Sequence, residues 1–202
     1  MRVRYSQSKV QLLKNAKDIV VAPDDLLITG DTFLEIGTGK GAFITTMAER
    51  FPKVNFIGFE KNATVLGFAL EKVQAKKLTN VKLVNADFFA FETLSLEEKV
   101  NGIFLNFPDP WPKQKHEKRR LLSLRALSKF HHILKLGGLV FFKTDNASLF
   151  EFAKETFAAS SFNPVTIDED YQLQTTIDAE TEYEHAFRLK GVKIRRGVFI
   201  KV

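Results

Sequence analysis

The sequence contains no cysteine, one tryptophan and only two methionines among its 202 residues. The absence of cysteine excludes disulfide bonds, thiolate metal ligands and cysteine nucleophiles. It therefore also excludes every enzyme mechanism that needs a transient bond between a cysteine sulfur and a pyrimidine ring.

Long apolar runs are missing as well. No segment approaches the roughly 20 apolar residues that a membrane-spanning helix needs. The first ten residues, MRVRYSQSKV, carry charge and are not followed by an apolar stretch, so the sequence does not predict a secretory signal. We therefore expect a cytoplasmic protein without a membrane partner.

Phenylalanine and positive charge, in contrast, are abundant. The chain holds 20 phenylalanines, 45% of its residues are apolar, and its formal net charge is +6. This apolar fraction is sufficient for the core of a single domain, and the positive charge favours an acidic partner such as nucleic acid. We predict a basic N-terminal arm over residues 1–30, with a short helix near residues 10–19, and one domain over residues 31–202.

Short apolar runs, which predict strands, alternate along the chain with longer segments of helical periodicity. The predicted strands are residues 33–36, 54–60, 81–84, 103–106 and 139–143, a segment near residue 165, and residues 194–202. The predicted helices are residues 42–51, 63–77, 117–134 and 147–160, with another from residue 182, and Gly137 and Gly138 are expected to end the helix over 117–134. This alternation predicts an α/β fold: a Rossmann-like, doubly wound, mostly parallel sheet of about seven strands with helices on both faces.

The segment EIGTGKG, residues 35–41, joins the first predicted strand to a helix. Glycines at such a turn let the backbone approach a ligand, and the start of the helix offers unpaired N–H groups. Gly37, Gly39 and Ala42 have the spacing of dinucleotide-binding proteins. Gly37, Gly39 and Gly41, with Glu35 before them, fit the pattern of S-adenosylmethionine enzymes at least as well. A tight turn without a ligand is the remaining interpretation.

Two further carboxylates follow the next predicted strands. Glu60 ends the second strand about 20 residues after the turn, where a carboxylate commonly binds ribose hydroxyls. Asp87 follows the third strand, where it can accept from an adenine amino group or cap a turn. Ligands of open α/β sheets bind at the carboxyl ends of the strands, so Glu35, Glu60 and Asp87 predict one site.

The fourth predicted strand leads into NFPDPWPKQKHEKRR, residues 106–120. Asp109 is expected on the same side of the sheet as the glycine turn, in a loop that its neighbouring prolines restrict. Trp111 suits either base stacking or core packing. Basic side chains in the first turn of a helix oppose its dipole, which favours a use in binding phosphates. Those basic residues are Lys113, Lys115, Lys118, Arg119 and Arg120.

Two motifs near the end of the chain have structural as well as ligand-binding interpretations. In TDN, residues 144–146, either Asp145 or Asn146 can cap the following helix. In TEYE, residues 181–184, Thr181 and Glu184 have the spacing of a capping box. The four histidines have no metal-ligand spacing, so we expect no metal site.

Together these motifs resemble those of the bacterial tRNA (guanine-N7-)-methyltransferases, which are class I S-adenosylmethionine-dependent enzymes. FPDPWPKQKHEKRRL is similar to the signature of that family, and EIGTGKG, TDN and TEYE occur there in the same order. The resemblance covers residues 33–202 and implies that residues 31–202 are a methyltransferase domain. It also implies S-adenosylmethionine as cofactor, tRNA as partner, a variable-loop guanine as target, and a monomer or homodimer.

The resemblance further implies roles for individual residues. Those at the cofactor would be Glu35, Gly37, Gly39, Gly41, Glu60, Asp87 and Asp109, and Asp109 would be the catalytic residue. Those at the substrate guanosine would be Lys113, Asp145, Thr181, Glu182, Tyr183 and Glu184. Those at the RNA would be Lys115, His116, Glu117, Lys118, Arg119 and Arg120.

Three other functions are compatible with parts of the sequence. A methyltransferase for an exocyclic amine would carry an Asn/Asp-Pro-Pro-aromatic loop, which Asp109-Pro110-Trp111-Pro112 resembles loosely but without consecutive prolines. An NAD-binding oxidoreductase would share the glycine spacing, yet no hydride-transfer site is evident. A non-catalytic RNA-binding module would keep the fold and the basic run, and cofactor binding distinguishes it from the enzymes.

Overall fold

A computed structural model describes residues 3–90, 96–110 and 121–202 of the chain. Seven strands form one sheet in the order β3-β2-β1-β4-β5-β7-β6. Their bounds are Thr32–Ile36 (β1), Asn55–Phe59 (β2), Val81–Val84 (β3), Val100–Asn106 (β4), Leu134–Thr144 (β5), Phe162–Asp168 (β6) and Arg195–Lys201 (β7). The pairs β1–β2, β1–β4, β2–β3 and β4–β5 are parallel, and β7 runs antiparallel to both of its neighbours.

Six α-helices connect these strands within the described part of the chain. Their bounds are Gln7–Asn15 (α1), Ala42–Arg50 (α2), Ala63–Ala75 (α3), Leu124–Ile133 (α4), Ala147–Ala158 (α5) and Glu182–Arg188 (α6). Four of them begin at a side chain that accepts a backbone N–H, as helix starts commonly do. These capping residues are Asn62, Ser123, Asn146 and Thr181.

The helices cover the sheet on two sides and bury two apolar clusters. On one side Phe43 of α2 and Leu66 of α3 pack against strand residues such as Phe104. On the other side Phe130 of α4 and Phe150 of α5 pack against residues of β1, β4 and β5. The predicted α/β class, with a mostly parallel seven-stranded sheet and helices on both faces, is confirmed.

The boundary between α4 and β5 differs from the prediction. The helix ends at Ile133, and Gly137 and Gly138 lie inside β5 instead of ending the helix. Leu134 pairs with Val100 and Leu139 pairs with Gly102, so β5 carries a bulge between these two points. Gly137 has a φ of +75° there, a conformation that glycine adopts without strain. Residues 117–120 of the predicted helix lie outside the described residues.

The segment before residue 30 packs against the rest of the chain. The N–H of Ser6 donates to Oγ1 of Thr64 at 3.1 Å, which places α1 on α3. At the edge of the sheet, Val21 and Leu83 share a backbone hydrogen bond of 3.0 Å. The boundary at residue 30 stays a prediction, since the described residues on its two sides share a core.

Replacing Gly67 with alanine tests the packing of α1 on α3. A Cβ at Gly67 would lie 2.6 Å from Cβ and 3.2 Å from Cα of Lys9. Helix propensity alone would stabilise this variant by about 1 kcal/mol, but overpacking costs about 1–3 kcal/mol. We expect urea denaturation to show a free energy of unfolding that is lower by about 1 kcal/mol.

The change Lys9→Gly provides the control for this prediction. It removes the Cβ from the other side of the contact, so Gly67→Ala should cost less in the Lys9→Gly background than in the wild-type background. A variant Gly67→Ala that is more stable than the wild type would contradict the packing of α1 described above.

Candidate functional site

A cavity of about 630 Å³ opens at the carboxyl ends of β1, β2, β3 and β4. Parallel pairing brings these four strand ends to one edge of the sheet, where ligands of open α/β sheets bind. The volume lies within the range of about 300–1,000 Å³ that small-molecule sites occupy. Of the residues predicted for the cofactor, Gly37, Glu60, Asp87 and Asp109 line this cavity.

The glycine turn after β1 is held by the end of β2. The N–H groups of Gly37 and Thr38 donate to the carbonyl of Phe59 at 2.8 and 3.0 Å. Gly41 has a φ of +81°, and a Cβ there would lie 2.7 Å from Cβ of Ala69 on α3. Only glycine fits this position, because a side chain would be strained and would also collide with α3.

Glu60 and Asp87 stabilise the backbone turns on which they stand. The carboxylate of Glu60 accepts from the N–H of Asn62 at 2.8 Å and from the N–H of Gly39 at 3.3 Å. Oδ1 of Asp87 accepts from the N–H of Phe89 at 3.0 Å. Both carboxylates therefore hold fixed positions at the cavity and keep lone pairs for a ligand.

Glu35 lies beneath the glycine turn and is only 2% exposed. Its carboxylate accepts from Oγ1 of Thr38 at 2.5 Å and from Nδ2 of Asn106 at 2.9 Å. Burial raises the pKa of Glu35 to about 7, although both hydrogen bonds act in the opposite direction. Asn106 lines the cavity, so its hydrogen bond with Glu35 links the buried carboxylate to the cavity.

The loop after β4 turns sharply at Phe107, whose φ of +51° is unusual for a residue other than glycine. The N–H of Phe107 donates to the carbonyl of Lys143 on β5 at 2.8 Å, which holds this strained conformation. The turn brings Phe107, Pro108 and the exposed Asp109 to the cavity. Asp109 is thus brought together with Glu60 and Asp87, as predicted.

Several predicted residues lie outside the described part of the chain. They are Trp111 and the substrate and RNA residues Lys113, Lys115, His116, Glu117, Lys118, Arg119 and Arg120. Arg125 at the start of α4 and Lys61 after β2 are the cavity-lining cations of the described residues. The sequence prediction did not include either of them.

Helix α6 brings the TEYE motif to the neighbourhood of Phe107. The ring of Tyr183 lies 5.0 Å from the ring of Phe107, and its hydroxyl lies 3.5 Å from Oδ2 of Asp145. Thr181 caps the helix by accepting from the N–H of Glu184 at 2.9 Å. Glu182 forms an ion pair with Lys72 of α3. Asp145 and Tyr183 therefore lie beside the cavity, whereas Glu182 contacts α3.

Glu184 is fully buried within a cluster of charges that the sequence prediction missed. Nζ of Lys143 donates to its carboxylate at 2.7 Å, and Nη2 of Arg188 donates to it at 2.7 Å. Lys143 also lies 3.3 Å from the carboxylate of Asp178, which accepts from the hydroxyl of Tyr171 at 3.0 Å. The only signal in the sequence was a lysine at the end of an apolar strand, which predicts no particular partner.

The described residues contain no group of three or more His, Asp or Glu side chains placed to hold a metal ion. In the same residues no helix has both the length and the apolar character needed to cross a bilayer.

Comparisons with known proteins identify the family. A family model described as "Putative methyltransferase" matches residues 29–196. The tRNA (guanine-N(7)-)-methyltransferase of Alkaliphilus oremlandii is 36% identical over 207 residues, which cover 98% of each chain. That of Geobacillus kaustophilus is 43% identical over 164 residues, 81% of this chain and 76% of the relative.

A comparison of structures agrees with this assignment at the level of the fold. The solved structure of an antibiotic-related methyltransferase superposes with a TM-score of 0.61 and 19% identity, covering 99% of this chain and 95% of the other. The resemblance seen in the motifs is confirmed along nearly the whole sequence. The chain belongs to the tRNA (guanine-N(7)-)-methyltransferase family.

Proposed function

We propose that this protein is an S-adenosylmethionine-dependent methyltransferase that converts a guanine in the tRNA variable loop to 7-methylguanosine. Family membership supports the reaction, and the meeting of Asp109 with Gly37, Glu60 and Asp87 around one cavity supports the site. The protein acts in the cytoplasm as a monomer or homodimer.

The residues at the cavity suit the parts of S-adenosylmethionine. Glu60 offers a carboxylate for ribose hydroxyls, Asp87 can accept from the adenine amino group, and Gly37 leaves room for close approach. Glu35 and Asn106 supply negative charge and an amide beneath the turn, where the cationic amino end of the cofactor would lie. Bound there, S-adenosylmethionine supplies a methyl group activated by its sulfonium.

Guanine N7 requires little chemical help from the protein, since it carries a lone pair and no proton. It forms the new bond to the methyl carbon while the carbon–sulfur bond breaks and that electron pair stays on sulfur. The transfer therefore needs no general base and no covalent enzyme intermediate, and a chain without cysteine can carry it out. Most of the acceleration then comes from aligning the reacting atoms.

Asp109 acts on the charge that develops during transfer. The guanine ring becomes cationic as N7 is methylated, so a carboxylate held beside it stabilises the transition state or orients the base through its N–H groups. Asp109 is exposed at the cavity and sits two residues after the strained Phe107, in a loop that two described prolines restrict. Asp145 and Tyr183 bind the guanosine from the end of β5 and from α6. Thr181 and Glu182 take part by holding the start of α6, through the capping hydrogen bond and the ion pair with Lys72.

Residues that follow this loop in the sequence bind the RNA. The run from Lys115 to Arg120 contacts the tRNA, and Lys113 contacts the guanosine. Glu184 is fully buried, so we assign it a role through the position of Tyr183 on α6.

Replacing Asp109 with asparagine tests the proposed reaction. The wild type should form 7-methylguanosine in unmodified tRNA, detected by nucleoside mass spectrometry. Removing the charge should lower kcat by about 100-fold or more, the size of effect found when one electrostatic group is lost from an active site. The affinity for S-adenosylmethionine should change much less.

The matched control is Asp31→Asn, which removes an exposed carboxylate directly before β1, at the amino end of that strand. Its turnover should equal that of the wild type. Near-normal turnover of Asp109→Asn at saturating substrates would refute its role. Detection of a different methylated nucleoside would show that the enzyme methylates another target atom. Binding of tRNA without any methylation would favour a non-catalytic RNA-binding module.

Proton release on cofactor binding tests the position of Glu35. A cation brought within about 6 Å favours the carboxylate and lowers its pKa. At pH 7 the apo protein, with a Glu35 pKa of about 7, should therefore release about half a proton more than Glu35→Gln on binding S-adenosylmethionine. Calorimetry in buffers of different ionisation enthalpy measures this difference, and equal proton release by both proteins would contradict it.

The pH dependence of the free energy of unfolding of the apo protein should also reveal the ionisation of Glu35. The pKa of Glu35 is raised by folding, so its contribution to stability is present at low pH and lost as the pH rises through about 7. Between pH 5 and 8 this loss should reach about 3 kcal/mol at most, and Glu35→Gln should lack it. Urea denaturation at both pH values gives the comparison.

A further inference from the structure

Helix α6 buries the carboxylate of Glu184 and exposes the aromatic ring of Tyr183, while Phe187 and Arg188 are half-buried. Glu184 is 0% exposed and Tyr183 is 46% exposed. Arg188 follows Glu184 by four residues and Phe187 follows Tyr183 by four, so each pair shares one face of the helix. A helix that only had to pack on the protein would bury Tyr183 and expose Glu184.

The exposed Tyr183 and the half-buried Phe187 are held in place by contacts with each other and with the cavity wall. The rings of Tyr183 and Phe187 stack at 4.2 Å with an angle of 19° between their planes. On its other side Tyr183 lies 5.0 Å from Phe107, which lines the cavity. The three rings therefore form one strip, which we call the aromatic strip, that leads from the cavity across the surface of α6.

A cation lies at the far end of the aromatic strip. Nζ of Lys190 is 5.4 Å from the ring centre of Phe187, and the side chain is exposed. Within residues 3–90, 96–110 and 121–202, Lys190 has no ion pair with a carboxylate. Stacked aromatic rings beside an available ammonium group match the chemistry of a nucleotide, which presents a base and a phosphate together.

We propose that the aromatic strip binds a nucleotide adjoining the target guanine, with its base stacked on the ring of Phe187 and its phosphate at Lys190. This inference rests on the proposed function, because the RNA is taken to enter the cavity by its guanine. A base that leaves a stacked RNA strand to enter an active site deprives its neighbours of a stacking partner. The aromatic strip begins at the cavity, so its outer ring can serve as the new stacking partner of the neighbouring base.

The buried charges explain how so short a helix holds the aromatic strip in place. Lys143 belongs to β5 and Glu184 to α6, so their 2.7 Å contact ties the helix to the sheet. Breaking a buried ion pair strongly destabilises the arrangement around it. The aromatic rings are therefore presented by a fixed element, and a binding site that is organised in advance loses less entropy when RNA binds.

The experiment uses the full chain, S-adenosylmethionine and unmodified tRNA transcripts that carry 2-aminopurine next to the target guanine, on one side or the other. The variants are Phe187→Leu, which keeps an apolar side chain without a ring, and Lys190→Ala, which alters an exposed residue. Lys53→Ala is the matched control, since it removes another exposed lysine, which lies two residues before β2 at the amino end of that strand.

With the wild type, 2-aminopurine at one of the two positions should be quenched on binding. Phe187→Leu should abolish most of this quenching and raise the Kd for tRNA about tenfold, as expected for the loss of one base–aromatic stack. Lys190→Ala should raise the Kd several-fold and reduce the salt dependence of binding by about one phosphate contact. Lys53→Ala should match the wild type.

Cofactor binding and turnover separate this role from a structural one. Both variants should keep the wild-type Kd for S-adenosylmethionine, and at saturating tRNA their kcat should stay within about twofold while KM rises with Kd. If Phe187→Leu weakens cofactor binding, its effect on RNA binding could arise from a change in the fold. Lys190→Ala alters only an exposed side chain and then carries the test. An unchanged salt dependence of tRNA binding in Lys190→Ala would overturn the proposal.

Two further results would also overturn it. Wild-type quenching and affinity in Phe187→Leu, with normal methylation by the wild type, would refute the stacking contact and leave the proposed function intact. Variants that change self-association in sedimentation without changing RNA affinity would make the strip a contact between copies of this chain. No 7-methylguanosine from the wild type would instead refute the proposed function itself.

Discussion

The parallel pairing of β1 with β2 and β4 is the constraint on which the site depends. It brings the carboxyl ends of these strands to one edge. Backbone hydrogen bonds between the loops and the neighbouring strand ends then fix the conformation of the loops. The carbonyl of Phe59 accepts from the glycine turn, and the carbonyl of Lys143 accepts from Phe107. Both of these loops are thus fastened to the end of a neighbouring strand.

Lys143 connects this edge to the aromatic strip. Its carbonyl holds the strained turn at Phe107, and its ammonium group holds Glu184 and Asp178 in the interior. The cluster balances two positive side chains, Lys143 and Arg188, against these two carboxylates. Buried ion pairs add little net stability compared with apolar packing, but their geometry is demanding, so the cluster determines where α6 can lie.

Glu35 shows a conflict between stability and function at the same edge. A carboxylate buried beneath a turn destabilises the folded protein whenever it is ionised, and burial raises its pKa to about 7 for that reason. An apolar residue would fill the site without this cost. The negative charge has a use once a cationic ligand lies nearby, which fits the common finding that functional sites sacrifice some stability.

The amino-acid sequence by itself determined the α/β class, the order of strands and helices, the positions of Glu60, Asp87 and Asp109 at strand ends, and the family. These features follow from local periodicity, glycine and proline positions and short motifs, which neighbouring residues decide. Tertiary structure alone decided the start of β5, because the pairing of Leu134 with Val100 ended α4 before its glycines. It also buried Glu184 of TEYE and left Tyr183 exposed, because the partner of Glu184, Lys143, lies 41 residues away along the chain and only the folded sheet brings the two together.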